Sequence, residues 1–207
     1  MTFDLNRKNF LGYQSKMLAG KGEKKTIDLA VSTYACDTTG SVTCLNLCAT
    51  GTDYTDRVGR KILLKSVNII GKLVSQDATV GNSMCRIMVI YDKQPTGALP
   101  AITDILKTSI STDQKNLNNR DRFIVLRDYK RVLGAVDNTA TQAYAGSPTV
   151  DCVEIFIKLN HETIYNSTAG TIAAIASGAL YLVTIGDQAA ASGYLMGGSV
   201  RTRFIDN

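Results

Sequence analysis

Apolar and polar residues alternate along this chain in short runs, separated by segments rich in Gly, Asn, Asp and Thr. In Thr26–Tyr34, Ile27, Leu29 and Val31 alternate with Asp28, Ala30 and Ser32, the period-2 pattern of a half-buried strand. Val42–Ala49 reads as a second strand, with Leu45 and Leu47 on one face and Cys44, Asn46 and Cys48 on the other. Ile62–Val74 is a third, whose apolar phase shifts between Leu64 and Val67 and so predicts a bulge. Met84–Tyr91 is a fourth, interrupted by Arg86, whose charge calls for solvent or a local ion pair. Pro95 and Gly97 then stop the ladder. Pro100 opens a short helix with Ile102, Ile105 and Leu106 on one side. Strands follow at Arg122–Leu133, Val150–Leu159 (Val153, Ile155, Ile157 and Leu159 inward), Gly178–Ile185 and Gly198–Ile205. In the last, Val200, Thr202 and Phe204 oppose Arg201 and Arg203. Asp137–Pro148 and Asn160–Ser177 read as long loops.

The expectation is an all-β fold: an eight-stranded single jelly-roll sandwich of two four-stranded antiparallel sheets, with one short helix between the fourth and fifth strands. At 207 residues, 44% hydrophobic and 20% charged, the chain suits one such domain. Ala169–Val183, the longest weakly polar stretch, is shorter than the ~20 residues a membrane span needs, so no membrane partner is expected.

Charge changes the picture at one end. Arg7, Lys8, Lys16, Lys21, Lys24 and Lys25 against Asp4 and Glu23 place +4 of the net +5 in residues 1–25. That segment reads as a basic arm, with room for a short helix over Asn9–Leu18, ahead of a nearly neutral domain over 26–207. A basic arm on a neutral body implies a polyanionic partner.

Catalytic chemistry is thinly supplied. His161 is the single histidine, and the segment around it reads as a solvated loop. That excludes a multi-histidine metal centre of the cupin type and leaves a triad without context. Cys36, Cys44, Cys48, Cys85 and Cys152 are odd in number, and Cys44-x-x-x-Cys48 lacks a second ligand pair, so they read as reduced, buried packing residues. No phosphate-cradling glycine loop is present. No enzyme and no cofactor are expected.

Three segments carry a resemblance: Tyr91-Asp92-Lys93-Gln94-Pro95-Thr96-Gly97-Ala98, Asn118-Asn119-Arg120-Asp121-Arg122-Phe123 and Val125-Leu126-Arg127-Asp128. In order and spacing they resemble the coat proteins of small circular single-stranded DNA viruses, the geminivirus-like members above all. The skeleton is also similar to coat proteins of necrosis-satellite viruses. The resemblance spans roughly residues 50 to 187, more than a minimal domain needs. It implies strands B to I in sheets B-I-D-G and C-H-E-F. It also implies a self-assembling icosahedral shell, in the simplest (T=1) case of about sixty copies, around a single-stranded genome, DNA favoured over RNA. The expected location is the virion, with assembly in the host nucleus. The candidate nucleic-acid contacts are Arg7, Lys8, Lys16, Lys21, Lys24 and Lys25 in the arm and Arg201 and Arg203 on the last strand, acting on phosphates without reading sequence. The arm is shorter and less basic than the Arg-rich tails of many such coats. The competing reading is a jelly-roll binding module of the trimeric cytokine or lectin type. It would call for a secretory signal and paired cysteines, whereas the N-terminus is polar and the cysteines are odd in number.

Overall fold

A computed structural model describes residues 22–75, 83–133, 150–190 and 192–206. The expected helix at Asn9–Leu18 and the Asp137–Pro148 loop lie outside them, as do Arg7, Lys8, Lys16 and Lys21. The described chain forms β1 (Lys24–Cys36), β2 (Ser41–Cys44), β3 (Lys61–Ser75), β4 (Ser83–Asp92) and the one-turn helix α1 (Ile102–Ile105). It continues through β5 (Phe123–Leu133), β6 (Val150–Tyr165), β7 (Ile175–Ser177), β8 (Ala179–Gly186) and β9 (Tyr194–Asp206).

All pairings within the sheets are antiparallel, in the orders β1-β9-β3-β6-β7 and β2-β8-β4-β5. With β7 set aside, these are B-I-D-G and C-H-E-F, the jelly roll. The three-residue β7 adds a fifth strand to the first sheet. It exists because β6 continues past Leu159 to Tyr165, through the segment read above as loop. His161 therefore sits within a strand, opposite Leu64, and not in a solvated loop. The bulge on β3 falls between Leu64 and Ser66, where the apolar phase shifts.

The second strand is shorter than its alternation implied. Pairing ends at Cys44, because Asn46 turns inward and binds both sheets. Its Nδ2 donates to Thr163 Oγ1 and to the Gly178 carbonyl, both at 2.9 Å. Its Oδ1 accepts from Leu180 N at 2.9 Å, and its own carbonyl accepts from Tyr165 Oη at 2.6 Å. Leu45 and Leu47, expected on one face, separate: Leu45 is buried and Leu47 is on the surface.

The two sheets differ in how their outer faces are covered. Every residue of β8 is buried, and nearly every residue of β4. The long β4–β5 connection lies across that sheet and packs Ile102, Ile105 and Leu106 inward. Gly40 leaves room for Ile102, since a Cβ there would come within 2.9 Å of the Ile102 side chain. Arg86 holds the cover in place. It is buried, pairs with Asp128 at 2.8 and 2.9 Å, and donates to the carbonyls of Ser111 and Asp113. The local ion pair expected for it is the arrangement observed. Among the described residues, no such cover lies on the outer face of the five-stranded sheet. β6 shows it directly, alternating exposed and buried positions along its length.

Candidate nucleic-acid interface

Four strands present side chains on this bare face, and their register aligns them in rows. Asn68 on β3 stands between Arg201 on β9 and Phe156 on β6, and Arg201 in turn faces Asp28 on β1. On one side of that row, Ser66 stands between Arg203 and Lys158. On the other, Ile70 stands between Ser199 and Glu154, and beyond it Lys72 lies between Gly197 and Cys152. Gly71 and Gly198 let β3 and β9 approach closely: a Cβ on Gly198 would lie 2.2 Å from the Ile70 carbonyl oxygen. Small residues on the floor and long ones at the sides form a shallow trough of about 510 Å³ over Ala30, Ser199, Ile70, Arg201 and Arg203.

The charges on the face are unequal in availability. Arg201 forms a two-pronged pair with Asp28, Nε to Oδ1 at 2.7 Å and the terminal nitrogen to Oδ2 at 2.6 Å. That pairing holds the Asp28 carboxyl below its ordinary value and pushes the Arg201 guanidinium above its own. Arg203, Lys72 and Lys158 are exposed and have no ion pair among the described residues. Between them stand two large exposed apolar side chains, Ile70 at 53% and Phe156 at 54%.

The expected cations therefore divide. Arg203 is open on the face, and Arg201 is on the same face but engaged by Asp28. Lys24 is exposed at the start of β1. Lys25, expected in the arm, is instead a buried strand residue at 1% exposure, its ammonium 3.4 Å from Glu23 and 3.7 Å from Asp206. Strand β1 begins two residues before Thr26, which draws Lys25 inward beside the end of β9. Phe156, Lys158 and Lys72 were not among the expected contacts. The signal was available in β6: if Ile155 and Ile157 point inward, Phe156 and Lys158 point out.

The remaining reactive side chains are held by packing. Cys44 and Cys48 are buried, their thiols donating to Asn46 Oδ1 and to the Thr55 carbonyl, and burial pushes them up to about 12 and about 11. Cys152 departs from the expected burial and is exposed on the bare face beside Lys72. His161 stacks on Tyr91 with ring centres 4.3 Å apart, and burial lowers its pKa from the ordinary 6.5. Tyr91 donates to the Glu162 carbonyl at 2.6 Å. No group of three or more His, Cys, Asp or Glu able to hold a metal occurs among the described residues.

Comparison with known proteins follows the same line. The pattern of the geminivirus coat protein/nuclear export factor BR1 family matches residues 6–207. The capsid protein of Miscanthus streak virus is 29% identical over 148 residues, covering 64% of this chain and 57% of that protein. The capsid protein of African cassava mosaic virus is 30% identical over 124 residues, 56% of this chain and 45% of that one. The coat protein of Maize white line mosaic satellite virus is 30% identical over 108 residues, half of each chain. The matches thus span about half the length of these relatives.

Proposed function

From a chain that belongs to the geminivirus coat protein family, we propose a capsid subunit, structural and not enzymatic, that assembles with copies of itself into an icosahedral shell around single-stranded nucleic acid. The family match over residues 6–207 carries this reading. The family description also includes nuclear export factors, but the relatives above bear the capsid or coat name.

The mechanism is geometric and electrostatic. A sandwich bound by nine strands and a buried polar centre is a rigid tile, and its loops and edges supply contacts to neighbouring tiles. In the simplest closed shell about sixty tiles suffice. Arg7, Lys8, Lys16, Lys21 and Lys24 of the N-terminal segment and Arg203 of β9 neutralise phosphates. Charge of this kind attracts a genome without selecting its sequence. The subunit belongs to the virion, with the host nucleus as the site of assembly and DNA as the cargo.

The cargo is the discriminating observable. Particles treated with nuclease, then opened, are expected to release protected nucleic acid that a deoxyribonuclease digests and a ribonuclease does not. Assembled particles with no protected nucleic acid at any stage of purification would contradict packaging. Protected RNA would reverse the cargo.

A further inference from the structure

We infer that the bare face of the five-stranded sheet is a stacking platform for unpaired bases, with Phe156 as the aromatic seat and Arg203, Lys158 and Lys72 as the phosphate partners. The inference deepens the packaging reading above and depends on it. It adds what charge alone cannot supply, a preference for single strands over duplex.

Phe156 and Ile70 are more than half exposed in the middle of a sheet, where an apolar side chain has no folding reason to remain uncovered. They are surrounded by cations. Lys72, Lys158, Arg201 and Arg203 share the face with Asp28, Glu154 and Glu162 among the described residues; Asp28 already binds Arg201, and Glu162 pairs with Lys61 at 3.0 Å. This sign selects the occupant. The chain's own N-terminal segment carries Arg7, Lys8, Lys16 and Lys21 and would meet like charge. A second copy placed by a two-fold axis would set the same basic face against itself. A polyanion with apolar faces of its own fits both features, and single-stranded nucleic acid is one.

The spacing suits that ligand. Adjacent strands lie about 4.8 Å apart. Lys158 is two residues beyond Phe156 on the same face, and Arg203 lies in its row across Ser66. A base stacked on Phe156 therefore has cations within reach of its flanking phosphates, and the Asn68 amide stands beside it. Stacking tolerates any base. In a duplex the base faces are already occupied, so Phe156 adds nothing there. Phosphate contacts serve both forms.

The test uses the full chain as dissociated subunits, with an oligothymidylate and a duplex of equal length as probes, measured by fluorescence anisotropy across a salt series. F156A is expected to weaken single-strand binding by about tenfold or more, the cost of losing one stacked base, and to leave duplex binding unchanged. F156Y is expected to restore it. R203A is expected to weaken both and to flatten the salt dependence. The side chain of Phe156 is solvent-exposed, so its truncation opens no core cavity. If wild type binds the single strand and F156A weakens neither probe, or both equally, the platform is wrong and packaging stands. If F156A changes particle yield with oligonucleotide affinity intact, the face is a subunit contact and the platform is again wrong. If wild type binds no single strand at any salt, packaging fails with it.

Discussion

Asn46, two residues past the end of β2, concentrates more polar bonding than any side chain of that strand. Its amide and carbonyl join β2, β6 and β8 at a point sealed from water. Asn46→Ala would strand the Leu180 amide, remove the acceptor of the Cys44 thiol, and take one bond each from Thr163 and the Gly178 carbonyl, which keep their mutual bond of 2.7 Å. We expect a loss of about 3 kcal/mol in urea unfolding of the dissociated subunit, since several buried partners lose bonds together. A loss below about 1 kcal/mol would show that the groups repair their bonding locally. His161 gives a pH dependence. Burial favours its neutral form in the folded state, so its folded pKa lies below the unfolded value of 6.5. The unfolded chain therefore binds the proton first, and stability falls as pH drops through 6.5, levelling once pH is below the folded pKa. Melting temperature measured from pH 7.5 to pH 5 is expected to decline in this window, and His161→Phe, which keeps the stack on Tyr91, is expected to flatten the decline. Neither role is legible in the chain. Asn46 looks like an alternating strand residue and His161 like part of a polar loop, because Thr163 lies 117 positions from Asn46 and Tyr91 lies 70 positions from His161.

At the level of elements, much of the architecture can be read from period-2 alternation. β1, β3, β4, β5 and β8 fall close to their expected bounds, β9 begins four residues earlier than expected, and the phase shift between Leu64 and Val67 marks a bulge that the structure contains. Alternation fails where a strand leaves one environment for another. β6 runs on through Asn160, His161 and Glu162 because β3 pairs with it there, and backbone pairing does not need apolar side chains. The connection between β4 and β5 shows the opposite case, a segment with little regular structure that is nonetheless fixed. Its anchor is Arg86, bound to Asp128 and to the carbonyls of Ser111 and Asp113. Asp128→Ala leaves that guanidinium buried without its carboxylate. The expected cost is about 3 kcal/mol, with faster proteolysis within residues 107–121. Unchanged proteolysis would mean that Ile105 and Leu106 alone secure the connection. Gly198 makes a related point on the other sheet. A methyl group there meets the Ile70 carbonyl oxygen, so Gly198→Ala is expected to part β3 from β9 and lower the melting temperature of the subunit.

At the scale of the whole fold, the described residues form a sandwich with one outer face roofed and the other uncovered. The β4–β5 connection covers β4 and β8, while the other sheet gathers Arg203, Lys158, Lys72 and Phe156 on its outer face. Under the packaging proposal the uncovered face is the side for cargo; the family match places the chain among geminivirus coat proteins. The candidate site was half legible at this scale. Arg201 and Arg203 stand on the expected face, but Lys25 is buried and Arg201 is paired, and only three-dimensional register brings the β3 and β6 residues beside them. Assembly is the claim from which the rest proceeds. The measurement that tests it most directly is sedimentation velocity of the purified full chain across salt concentration, with electron microscopy of each species. The account predicts uniform closed shells, or small oligomers that close into them when salt is lowered. A monomer or trimer at every salt and protein concentration would contradict it.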